Sequence, residues 1–240
     1  FKRISAFLCI GEENRKFYEH YGAAKEKLFF APYAVDNNFF MSEAARLFPK
    51  KSELRKLLGL KGNKFIFLFV GKFIDKKRPM DLIRAYELVK DPKKALVMVG
   101  DGILKEEAAK YVREQGIENV IFAGFKNQTE LPEYYALADA LVLPSGSGET
   151  WGLVVNEAMC FGLSVIVSDV VGCGPDLVKQ DENGFVFHLG NIKELSHCLE
   201  ELAADPEKKE RFGKRSIEII RDFSFDKDAD AIASSLGPIK

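Results

Sequence analysis

From residue 65 onward, short runs dense in Val, Ile, Leu and Phe alternate with longer stretches whose apolar positions recur every three or four residues. The runs cover 65–70, 95–99, 120–123, 140–143, 164–167 and 185–187. Their unbroken apolar character is what strands need when both faces of a parallel sheet are covered. Between them the spacing predicts helices near 79–90, 103–115, 131–138, 152–161, 174–179 and 192–204, with a further helical stretch near 207–221. The fourth of these stops at Gly162, a residue suited to the left-handed turn that ends a helix. Strands alternating with helices in this way predict an α/β fold: a doubly wound, Rossmann-like parallel sheet.

The beginning of the chain reads differently. A strand over 6–10, a helix over 12–21 ended by Gly22, and a strand over 28–31 running into Pro32-Tyr-Ala-Val-Asp36 make one β-α-β unit. That unit is too small to be a domain. A polar stretch over 42–62, rich in Lys and Glu and carrying a helix near 51–58, is expected to separate it from the repeating pattern. The expected division is 1–36, then a domain over 37–222, then a helical tail over 223–240. No internal repeat or low-complexity tract interrupts it.

Composition narrows the function classes. With 240 residues, 47% hydrophobic and 30% charged, the chain can bury a sizeable core. Its 35 basic residues are offset by 36 acidic ones, so the strongly basic surface expected of a nucleic-acid binder is absent. No apolar run approaches the roughly 20 residues needed to cross a bilayer. Cys9, Cys160, Cys173 and Cys198 are scattered without a C-x-x-C pair, which suits a reducing compartment. His20, His188 and His197 show no metal-ligand spacing. The chain opens on Phe1 without a charged-then-apolar leader, so it is expected to be a piece of a longer protein.

In doubly wound sheets ligands bind beyond the carboxyl ends of the strands, which directs attention to the loops that follow them. Gly71-Lys-Phe-Ile-Asp-Lys-Lys-Arg-Pro79 offers a glycine for close backbone approach and then Lys72, Lys76, Lys77 and Arg78. This suits a phosphate or pyrophosphate, or, more blandly, is a solvated basic turn. Val99-Gly-Asp-Gly102 begins like G-x-G-x-x-G, but Lys105 stands at the third glycine and no acid follows the next strand, so a nicotinamide-dinucleotide site is poorly supported. Asp101 reads as a turn former. Phe122-Ala-Gly-Phe-Lys-Asn127, with Leu131 beyond, could hold a flat base, although core packing explains Phe122 and Phe125 equally well.

Leu143-Pro-Ser-Gly-Ser-Gly-Glu-Thr-Trp-Gly-Leu153 carries the most weight. It leaves a strand, turns through glycines and enters a helix near Gly152, where unpaired N–H groups and the helix dipole make an anion site. Glu149 lies just ahead of that helix and Glu157 within it, on the order of 12 Å apart if the whole interval were helical. Two glycosidase carboxylates flanking one bond would lie at roughly 5–9.5 Å. An acid at either end of a nucleotide sugar, with the diphosphate between, fits the longer interval better. The alternative for Glu157 is a surface helix position, but its neighbours Val154, Val155, Ala158 and Phe161 are apolar.

The interval Glu149-x7-Glu157 within GETWGLVVNEAMCFGLSVIVSD resembles the signature of the retaining glycosyltransferases of family 4, among the glycosyl transferases of group 1, which have the two-domain GT-B fold. PYAVD at 32–36, VGKFIDKKRP at 70–79, VGDG at 99–102, FAGF at 122–125 and LPEYYALADALVLPS at 131–145 follow in the same order, so the resemblance covers essentially the whole chain. It implies that 1–36 is the last part of an acceptor-binding N-terminal domain and that the rest is the donor-binding C-terminal half. It further implies that Lys72 and Lys77 hold the donor diphosphate, with Gly71 beside them, and that Glu149 contacts the transferring sugar. Backbone N–H groups of Trp151, Gly152 and Leu153 would cradle phosphate or sugar, Glu157 would bind the ribose, and Phe125, Lys126 and Leu131 would enclose the base. Lys72 stands where an arginine is common, keeping the charge but losing the bidentate fork. Gly172-Cys-Gly-Pro-Asp176 departs from the family's glycine-rich turn followed by Glu, so no role is carried over to Asp176.

By that resemblance the intact protein transfers a hexose from a nucleoside diphosphate sugar, such as a UDP- or GDP-sugar, to an acceptor hydroxyl with retention. It needs no metal or other cofactor. The isolated piece is expected to bind donor without catalysing transfer. A glycan or lipid-linked acceptor would be met through the N-terminal domain, in the cytoplasm or at the cytoplasmic face of a membrane. A nucleotide-sugar epimerase on the same fold and a non-catalytic nucleotide-binding module are the alternative classes.

Overall fold

The computed structural model describes residues 1, 3–60, 62 and 64–236. Strands of three residues bury little alone, and β1 (Phe7–Cys9) and β2 (Leu28–Phe30), joined through helix α1 (Glu12–His20), pair in parallel as a small sheet of their own. The chain then continues into α2 (Asn37–Leu47) and α3 (Lys51–Leu57). The repeating part follows as β3 (Phe65–Val70), α4 (Pro79–Leu88), β4 (Lys94–Val99), α5 (Lys105–Glu114), β5 (Val120–Gly124), α6 (Leu131–Leu137), β6 (Ala140–Leu143) and α7 (Leu153–Cys160). It closes with β7 (Ser164–Ser168), α8 (Gly174–Leu177), β8 (Gly184–Phe187), α9 (Ile192–Ala204), α10 (Pro206–Ile220) and α11 (Phe225–Leu236). The last four residues of the expected tail, 237–240, lie outside the described residues.

Among the described residues the main sheet has six strands, all parallel, in the order β5-β4-β3-β6-β7-β8. The expected α/β doubly wound architecture is therefore present, with the order reversing between β3 and β6. Alternation along β3 shows how the sheet is sealed on both faces. Ile66, Leu68 and Val70 enter one core, with residues of α2, α6 and α7, whereas Phe67 and Phe69 enter the other, with Leu82, Tyr86, Leu195 and Leu199. Burying a side chain of this size contributes about 1.5–3 kcal/mol.

The polar stretch over 42–62 takes in the end of α2 and the whole of α3. Asp36 caps α2 by accepting from the Phe39 N–H at 2.9 Å. Phe40, Ala44 and Leu47, spaced four and three apart, then bury one face of α2 in the first core. The polar residues fill the other face of this helix, which gives the segment its polar composition. Three contacts tie the start of the chain and α2 to the elements around the large sheet. The Asn37 side-chain amide donates to the carbonyls of Ile220 (3.0 Å) and Phe223 (3.1 Å). Asp176 on α8 accepts from the Glu12 N–H at the start of α1. Finally, α11 packs on β1 and β2.

Candidate functional site

The reversal of strand order opens a crevice where the loops after β3 and β6 part, the place where doubly wound sheets take ligands. The first loop leaves β3 at Gly71 and makes a 3-10 turn over Asp75–Lys77. Arg78 then adopts the left-handed conformation (φ 51°) to redirect the chain into α4, which begins with Pro79. The second loop is pinned to the first: the Gly146 N–H donates to the Lys76 carbonyl at 2.7 Å. Side chains lock the same junction, because the Lys77 ammonium donates to the Glu149 carboxylate, both groups being largely withdrawn from water. Two residues 72 positions apart thus meet at the crevice.

Glu149 leads into α7 through a turn that only glycine tolerates easily. Gly152 sits at the N-cap with φ 102°, and its carbonyl receives the Val155 N–H at 2.8 Å. The backbone N–H groups of residues 150–154 have no protein acceptor among the described residues. With the helix dipole behind them, they form an array suited to an anion. Of the Glu149–Glu157 interval only the part from Leu153 is helical. The loop after β7 braces this turn: Gly172 donates to the Glu149 carbonyl (2.9 Å) and Cys173 to that of Trp151 (3.1 Å). A Cβ at Gly172 would lie 2.0 Å from the Thr150 carbonyl oxygen, so a side chain there would push the turn away.

Beside this junction lies a largely apolar cleft of about 520 Å³. It gathers Gly71, Lys72, Phe125, Lys126 and Leu131 from the loops after β3 and β5 and the start of α6. The ambiguity between Phe122 and Phe125 separates cleanly. Phe122 packs in the second core, 6.0 Å from Phe73, while Phe125 stands 73% exposed at the cleft. Lys126 is held by Glu130 at 3.4 Å, with its ammonium 5.7 Å above the Tyr134 ring. Asp101 accepts from the Gly102 N–H (2.8 Å) and the Lys105 ammonium (2.7 Å), the behaviour of a turn former.

Glu157 projects from α7 into a different environment. The hydroxyl of Tyr135, itself fully buried on α6, donates to one Glu157 carboxylate oxygen. Burial pushes the Glu157 carboxyl above its usual range, and the tyrosine bond offsets only part of that. Leu131 and Tyr135 are four apart on α6, so one helix face joins the apolar cleft to this carboxylate.

Three residues essential to the arrangement carry no local signal. Tyr135 is one of them. Asn156 is another: fully buried, it accepts from the Trp151 indole N–H (2.9 Å) and donates to the Tyr33 carbonyl (3.0 Å), binding the 32–36 segment to α7. Trp151 is accordingly buried, its ring edge-on to Tyr33, so that only its backbone faces the turn. Asp176, to which no role was carried over, receives the start of α1. Among the described residues no group of three or more His, Cys, Asp and Glu is placed to hold a metal, and no helix is long and apolar enough to cross a membrane.

Comparison with known proteins gives one consistent answer. The family model described as Glycosyl transferases group 1 matches residues 50–219. D-inositol 3-phosphate glycosyltransferase of Streptomyces bingchenggensis is 31% identical over 234 residues, covering 92% of this chain and 50% of that protein. Spore coat protein SA of Bacillus subtilis is 30% identical over 177 residues, covering 69% of this chain and 46% of that protein. The crystal structure of Anabaena HepE in complex with UDP superposes with a TM-score of 0.81 at 23% identity, over 98% of this chain and 64% of the other. The chain spans about half the length of the curated relatives it matches.

Proposed function

Because this chain belongs to the glycosyl transferases of group 1, we propose that it is the donor-binding half of an enzyme that moves a hexose from a nucleoside diphosphate sugar to an acceptor hydroxyl with retention. The observation that carries the reading is the convergence of three features on one crevice: the apolar cleft, the Lys77–Glu149 pair and the open N–H groups at the start of α7. The base lies against Phe125 and Leu131, and the ribose hydroxyls donate to the Glu157 oxygen that Tyr135 leaves free. The diphosphate lies between, over residues 150–154, with Lys72 and Lys77 as counter-charges. Support for the nucleotide comes from the Anabaena protein of like fold, which is solved with UDP.

Catalysis in this scheme is stabilisation of the leaving group. As the bond from the anomeric carbon to the diphosphate breaks, negative charge grows on the departing oxygen, for which Lys72, Lys77 and the α7 dipole supply the counter-charge. These groups supply the counter-charge without a metal. Glu149 is held by Lys77 and orients the sugar; it does not attack it. The acceptor and any base come from an N-terminal domain of which residues 1–36 form the last part. Closure of the two domains excludes water, so residues 1–240 bind donor without transferring sugar. The protein works in the cytoplasm, at the membrane face when its acceptor is lipid-linked. Calorimetric titration with UDP-, GDP- and ADP-sugars tests the reading: one of them binds saturably, and binding by none would overturn it.

A further inference from the structure

At the opposite, amino edge of the main sheet the chain gathers cations around one buried carboxylate. Asp139, the residue before β6, accepts from the Ile66 N–H (2.9 Å), the Arg55 guanidinium (2.7 Å) and the Lys51 ammonium (3.1 Å). Arg55 commits its other donors to the carbonyls of Leu137 (2.8 Å) and Lys64 (3.1 Å). These two cations already exceed what one carboxylate needs. Yet the Lys209 ammonium stands 3.7 Å from the same carboxylate, outside hydrogen-bond range, and Lys64 and Lys93 border the same cleft of about 630 Å³. Among the described residues its lining holds five cations against two carboxylates, in a chain whose net charge is −1. The second carboxylate, Asp91, accepts from the Lys93 backbone N–H at 2.7 Å.

The Lys51 and Lys209 ammonium groups, both beside the same Asp139 oxygen (3.1 and 3.7 Å), repel one another, and the cleft holds more positive charge than Asp139 and Asp91 offset. We propose that this cleft binds a phosphate-bearing anion, with Lys51, Lys93 and Lys209 as its contacts and Asp139 holding Lys51 in place. An excess of three positive charges matches a phosphate dianion or pyrophosphate better than a monocarboxylate, and the ammonium groups supply the several donors that phosphate oxygens accept. The cleft lies at the end of the strands away from Gly71 and Phe125, so the two sites fill independently. This inference does not rest on the donor reading.

The test follows backbone amide resonances of the 240-residue chain during titration with inorganic phosphate, against sodium chloride at matched ionic strength. Saturable shifts are expected at Ser52, Phe65, Asp139 and Lys209, with Gly71 and Phe125 unmoved. The Lys93→Glu/Lys209→Glu double variant weakens the response by about tenfold, an expectation from charge reversal beside a dianion, while its response to UDP is unchanged. The milder Lys93→Gln/Lys209→Gln pair serves if charge reversal disturbs the fold. Co-sedimentation with phosphatidic acid vesicles, absent with phosphatidylcholine and lost in the variant, would identify a lipid headgroup as the source. Response to free phosphate alone would identify a soluble metabolite. Shifts that chloride reproduces, or that survive in both variants, would overturn the proposal.

Discussion

Asp139, ahead of β6, and Glu157, on the helix that follows it, are both largely withdrawn from water, yet the chain surrounds them in opposite ways. Burial pushes the Asp139 carboxyl up, but Lys51, Arg55, the Ile66 N–H and Lys209 together outweigh it and hold the group below its usual range. Around Glu157 burial dominates and the carboxyl rises, with only the Tyr135 hydroxyl set against it. A carboxylate supplied with cations from its own chain belongs to the architecture. One buried without them is stabilised further by donors arriving from outside, and ribose hydroxyls are such donors.

The sharpest way to break this contrast is to remove each carboxyl charge in turn. Asp139→Asn leaves Lys51 and Arg55 facing each other without their partner, and stability in urea denaturation should fall by about 3–5 kcal/mol, with UDP affinity of the folded protein unchanged. Lys77→Ala in the complete enzyme should lower turnover by about 10²–10³-fold, the scale for losing one charge-stabilising donor, and should also lower the melting temperature, because it strips the buried Glu149 carboxylate of its partner. Full activity in that variant would contradict the assigned role. Glu157→Gln should weaken UDP binding by about 1.5–3 kcal/mol, the range for hydrogen bonds to a charged group, while leaving stability unchanged or slightly raised. Opposite effects of Asp139→Asn and Glu157→Gln on stability would sharpen the comparison; equal losses would dissolve it.

The smallest effect is one of pH. Because the folded carboxyl of Glu157 holds its proton more tightly than the unfolded one, its contribution to stability is present below the unfolded value. That contribution is lost as pH rises through the folded one. Donor binding needs the ionised form, so affinity should decline on acidification at a higher pH than an ordinary carboxylate would give. The Tyr135 bond favours the ionised form. Tyr135→Phe should therefore move the decline to still higher pH, read by calorimetry across the acid range, and an unmoved profile would remove Tyr135 from the account.

The main sheet was legible because each of its strands is a continuous apolar run, and the period changes to that of a helix between them. α2 escaped because Phe40, Ala44 and Leu47 are diluted by polar neighbours; the capping Asp36 and the four-three spacing were the available signals. Of the site, the loops after β3, β5 and β6 could be read locally, since glycines and cations at strand ends have few structural uses. Tyr135 and Asn156 could not. Tyr135 meets Glu157 from a separate helix, and Asn156 reaches back to Tyr33, 123 positions away, so their roles exist only once the sheet has brought those segments together.

A crystal structure with a bound nucleoside diphosphate tests the central claim most directly. The account predicts the base in the cleft beside Phe125 and Leu131, ribose hydroxyls on the Glu157 carboxylate, and the diphosphate over the N–H groups of residues 150–154 within reach of Lys72 and Lys77. A nucleotide seated elsewhere, or one whose ribose turns away from Glu157, would contradict it.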